Sequence, residues 1–239
     1  MDEEVFSSIY ASSSDPCRMQ LAEWQSGRLR NTYADLLVHP RYAEPAHYFL
    51  SDLYGPKDYS QRDQQVERVY NKARKLLPQH MVKPLADALS MNVMSQALDI
   101  RLCMELFGRM QVSQIDADNY VEAYLRCDNF PLRRQQIELI REIGHDLDSV
   151  VRKPMLGMLL TMSRKPAQLA GLGELQAALE RGFNAFKAMH GADEFVAIIV
   201  ERESRILEQI YSGRRRPFVL DDEPTLTRVF SCSLCLRSV

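Results

Sequence analysis

Apolar side chains recur every three or four residues along most of the chain, and no stretch sustains the period-two alternation of a strand. The pattern predicts an all-α protein. Leu21, Trp24, Leu29, Tyr33 and Leu36 form the first stripe, opened by the N-cap pair Asp15-Pro16 and stopped by His39-Pro40, which predicts a helix over 16–38. A second runs from Pro45 to Gly55-Pro56, and Ser60 with Asp63 opens a third that reaches about residue 77. Pro84 begins a helical pattern ending near Phe107, open to a break at Met91-Asn92. Asp116 caps a helix to Cys127, and Asn129 with Pro131 opens a long one to Val151. Pro154 and Pro166 are expected to start two short segments, with final helices over 174–189 and 193–211. Roughly eight to ten helices joined by short loops imply a single irregular bundle.

Around this domain, placed at 15–213, the pattern lapses. Residues 1–14 end in Ser12-Ser13-Ser14 and read as a flexible leader, while 214–239 read as a non-helical tail expected to be disordered. A length of 239 residues suits one domain, and 46% hydrophobic with 26% charged residues excludes a disordered chain. Net charge is −2, so no bulk field draws the protein to nucleic acid. The acidic start lacks the features of a signal peptide, and the longest apolar stretches, 155–162 and 195–200, fall well short of a bilayer span, so a cytoplasmic location without membrane contact is expected. Five cysteines at irregular spacing suggest reduced thiols.

Two Glu-x-x-His pairs, Glu44/His47 and Glu142/His145, have the spacing of di-metal carboxylate bundles. On the wheel, however, Ile137, Ile140, Ile143, Gly144, Leu147 and Val151 form the buried face of the long helix, with Glu142 roughly opposite; Glu44 lies likewise opposite Ala46, Phe49, Leu50 and Leu53. These pairs point to solvent, and neither a metal nor a cofactor is expected. Cys232-x-x-Cys235 offers half a zinc site in the tail. No nucleophile elbow or phosphate loop occurs, so the chain leans away from an enzyme. Arg133-Arg134 read as the solvated first turn of a helix, His39 and His190 as helix-end caps, and Trp24 as a core anchor.

One corner differs from the rest. Tyr48-Phe49-Leu50-Ser51-Asp52-Leu53-Tyr54 leads through Gly55-Pro56-Lys57-Asp58-Tyr59 to Arg62-Asp63, setting aromatics beside an acid–base cluster. Tyr48, Phe49, Tyr54, Asp58, Arg62 and Asp63 are candidates for a structural corner or a partner-binding patch. The stretch resembles the bacterial FFLEELY motif proteins, a family of uncharacterised helical proteins of similar length, with Tyr48, Ser51 and Asp52 standing where the family name reads Phe, Glu and Glu. The likeness extends from about Arg18, through residues 142–148, 169–173 and 191–195, to about Phe218. The resemblance implies no catalytic residue or cofactor. The expected function is a protein-interaction or regulatory module binding a partner or itself; the alternative is a helical enzyme or small-ligand or metal carrier with a pocket between helices. RNA binding through the arginines is a weaker third.

Overall fold

A computed structural model describes residues 15–53, 70–71, 74 and 79–220. Among these residues there are eight α-helices and no strand: α1 (Pro16–Thr32), α2 (Ala43–Tyr48), α3 (Gln79–Cys103), α4 (Ala117–Arg126), α5 (Phe130–Val151), α6 (Pro154–Leu169), α7 (Gly173–Ala188) and α8 (Asp193–Tyr211). No helix among them is long and apolar enough to cross a membrane. The leader, Cys232-x-x-Cys235 and most of the third expected helix lie outside the described residues; of that helix Tyr70, Asn71 and Arg74 are described, and they are helical.

Local chemistry starts α1 and α4 where the sequence places them. Asp15 accepts the Cys17 amide at 3.0 Å, and Asp116 and Asn119 exchange side-chain and backbone bonds at 2.9 and 3.0 Å in a capping box. Helix ends are set from further away. Instead of running to residue 38, α1 stops at Thr32, because Arg202 of α8 donates to the Thr32 carbonyl at 2.8 Å and clasps Asp35 at 2.7 and 2.8 Å. Only a 3-10 turn, Leu36–Val38, continues beyond it.

Both α2 and α3 pass into wide π-turns, Phe49–Leu53 and Met104–Arg109. Pro84 lies inside α3, which starts earlier than its proline and does not break at Met91-Asn92. Pro166 likewise lies inside α6 and starts no new segment. The carbonyl it releases belongs to Met162, a residue 71% exposed, so water can satisfy it.

The long helix α5 is central and packs against α3, α6, α7 and α8. Its approach to α8 requires Gly144, because a Cβ there would collide with the Cγ atoms of Val196. Two apolar clusters result. One joins Leu29, Tyr33, Leu36 and Tyr42 to Phe195, Val196 and Ile199; the other joins Leu21, Leu102, Leu106 and Ile115 to Tyr120 and Ala123. Trp24 stacks on Tyr120 at 3.9 Å between ring centres and meets the edge of Phe218 at 5.6 Å. Pro217 is buried, so packed structure continues past the expected boundary at Gly213.

Candidate functional site

Four charged residues interrupt the apolar stripes of the helices that meet at the seam between these clusters. Arg133 lies four residues before Ile137 and seven before Ile140, on the face that α5 turns inward. Glu203 falls between Ile199 and Ile206 on α8, Asp99 beside Leu98 and Leu102 on α3, and Arg28 beside Leu29 on α1. Together they line a cleft of about 120 Å³, with Gln25, Tyr33, Tyr120, Tyr124 and Gln136 adding polar atoms and Ile137, Ile140, Ile199 and Leu207 an apolar wall.

The four charges are not used alike. Arg28 and Glu203 form a pair at 2.6 Å, and the Tyr33 hydroxyl donates to the same carboxylate oxygen at 2.8 Å. The pair is internally neutral and ties α1 to α8. Arg133 is 8% exposed, which corrects the expectation of a solvated first turn. It donates to Gln136 Oε1 at 3.2 Å and lies over the Tyr124 ring at 4.7 Å. Its Nε has no acceptor, and no carboxylate among the described residues comes within 4.0 Å of it.

Across the cleft, Asp99 Oδ1 accepts from Gln25 Nε2 at 3.1 Å. Burial pushes the Asp99 carboxyl above its usual range, against the pull of Arg133, Gln25 and Arg18. Burial raises the Tyr120 and Tyr124 hydroxyls as well, so both stay protonated donors at neutral pH.

Of the expected corner, Tyr48 packs its ring 2.7 Å from where a Cβ on Gly182 of α7 would lie, and Phe49 lines the cleft; both are half-buried. Tyr54, Asp58, Arg62 and Asp63 lie outside the described residues. Glu44, His47, Glu142 and His145 are exposed, and His145 Nδ1 faces Asp193 at 3.0 Å. His39 caps the 3-10 turn Leu36–Val38, its amide donating to the Leu36 carbonyl at 3.2 Å and its Nδ1 accepting the Arg41 amide at 3.2 Å. The end of α7 is held by Arg41, which donates to the carbonyls of Met189 at 2.7 Å and Gly191 at 2.9 Å, and not by His190.

A different surface stands out on α6, which buries no residue: Met155, Met158, Leu159 and Met162, at i, i+3, i+4 and i+7, are 56%, 60%, 41% and 71% exposed. Sequence reasoning passed over Arg133 and Glu203 because it weighed basic clusters by adjacency. The available signal was periodicity, since each occupies an inward position of its own helix.

No curated protein and no solved structure matches the chain. Residues 11–217 match the family described as a domain of unknown function (DUF8198). That span holds all eight helices and every residue lining the cleft except Phe218, and the chain belongs to this family.

Proposed function

We propose that this chain binds a small anionic molecule in the cleft between α1, α3, α4, α5 and α8. One observation carries the reading, the buried and unpaired guanidinium of Arg133. An arginine cannot shed its charge, and burying it without a carboxylate in contact costs several kcal/mol, on the order of a large share of a domain's stability. Arg28, in the same cleft, has such a counter-ion in Glu203. A carboxylate or phosphate arriving along the Nε edge of Arg133 would accept the unused N–H and give the guanidinium a contacting partner.

Protein purified under native conditions should release a bound small acid on unfolding, detected by native and then denaturing mass spectrometry. Arg133→Gln should keep the helical circular dichroism of the parent and lose the acid. A parent that carries no acid, and that gains no thermal stability from any added anion, would overturn the reading.

Partner binding is a second reading, favoured by the Met-rich face of α6. Contiguous exposed apolar patches are uncommon on monomers, and flexible methionines suit docking surfaces. Arg164 is taken by Glu180 of α7 at 2.7 Å, which leaves Lys165 as the basic residue of a helix with no acidic side chain of its own, and α6 fits an amphipathic partner helix with an acidic flank. A photo-crosslinker at Leu159 should mark one such protein, and Met158→Glu with Met162→Glu should abolish the mark; labelling of a second copy of this chain instead would overturn a heterologous partner.

A further inference from the structure

Apart from the neutral pair of Arg28 and Glu203, two charges of opposite sign face the cleft from different helices, Arg133 on α5 and Asp99 on α3. Glu203 has both a guanidinium and a hydroxyl on one oxygen, whereas Asp99 takes a hydrogen bond from Gln25 on Oδ1 and none on Oδ2 among the described residues. A carboxylate offers about four acceptor positions, so most of Asp99's capacity is unspent. The two groups therefore present a donor edge and an acceptor edge to one space, with the isoleucine and leucine wall beside them.

From this juxtaposition we infer that the ligand is a small zwitterion, an α-amino acid with a small branched side chain, whose carboxylate meets Arg133 and whose ammonium meets Asp99. The inference rests on the reading of Arg133 given above and adds the second pole. Charge balance selects the zwitterion over a simple anion. Arg133 and ionised Asp99 sum to zero, as do the two ends of an amino acid, whereas a lone carboxylate compensates Arg133 and leaves Asp99 facing a second negative group. Size agrees. An apolar cavity of roughly 150 Å³ takes up benzene, so a cleft of about 120 Å³ sets a tight upper limit and favours valine, the smallest branched amino acid, over leucine or phenylalanine. The apolar wall of Ile137, Ile140, Ile199 and Leu207 receives the side chain.

The full-length protein is titrated calorimetrically with leucine, valine and phenylalanine, with 3-methylbutyrate as a carboxylate lacking the amine, and with isobutylamine as an amine lacking the carboxylate. At least one amino acid should bind, with 3-methylbutyrate and isobutylamine at least tenfold weaker. Asp99→Asn should weaken the amino acid tenfold or more and leave 3-methylbutyrate unchanged or tighter; Arg133→Gln should abolish both. Circular dichroism and the emission of Trp24 confirm that each variant is folded. Equal affinity for valine and 3-methylbutyrate, with no effect of Asp99→Asn, would overturn the zwitterion and leave the anion site standing. Absence of binding by every acid, with Arg133→Gln indistinguishable from the parent, would overturn both.

Discussion

Two buried arginines of this chain show how a single side chain is made tolerable inside a protein. Arg202 reaches the same degree of burial as Arg133, yet its fork closes on Asp35 with two bonds and caps the end of α1. Burial pushes the Asp35 carboxyl up, but the hydrogen bonds and charge of Arg202 prevail and hold it below the usual range. A carboxyl that binds protons less tightly when folded contributes stability above its unfolded pKa of about 4, and loses that stability as pH falls through the folded value. Asp99 has the opposite sign. Its raised folded pKa means that stability falls as pH climbs from about 4 through the folded value, because ionisation is penalised only in the native state. Denaturant melts across pH should therefore separate the two: Asp35→Asn removes part of the acid-side loss, while Asp99→Asn removes part of the loss on the rising side. A residue's sign could not be read in advance, because composition shows neither which acid has an arginine partner nor which has only burial.

At the scale of elements, the sequence was informative where a side chain caps a helix locally and weaker where packing or a proline sets the boundary. Caps such as Asp15 and Asp116 act within two or three residues, so their consequence is written locally. The end decided by Arg202, and the starts expected at Pro84 and Pro166 that fall inside α3 and α6, depend on what packs or fails to pack nearby. The inward face of α5 was legible from the 3.6-residue period, and Gly144 within it has a role that the period alone cannot assign. Alanine at 144 gains roughly 1 kcal/mol of helix propensity. Against this, its methyl must displace the β-branched side chain of Val196, whose rotamer is restricted and which lies in the first apolar cluster. Overpacking of this kind costs about 1–3 kcal/mol, and it should exceed the propensity gain. Gly144→Ala is expected to lower the melting temperature by several degrees, and an unchanged or higher value would show that α5 and α8 can separate without penalty.

For the molecule as a whole, the polar cleft and the closing of the fold meet at the same aromatic cluster. Tyr120 lines the cleft and also stacks on Trp24, and Phe218 touches both rings after the chain has left α8. The sequence marked Trp24 as an anchor, and the family likeness reached about Phe218, but no periodicity pointed to its packing, because it stands among charged and turn residues. Since Trp24 is the sole tryptophan, its emission reports this junction directly. Phe218→Ala removes an edge contact to each of two rings and opens one side of the cleft, which should cost about 3–5 kcal/mol if the site is fully packed and less where the cleft already admits water. The variant should melt earlier, with a red-shifted Trp24 emission in the folded state. If it melts like the parent and its emission is unmoved, Phe218 lies on the surface of the fold without closing it. If the emission shifts and ligand affinity falls with it, the segment after α8 belongs to the binding site as well as to the core, and the folded unit includes Phe218.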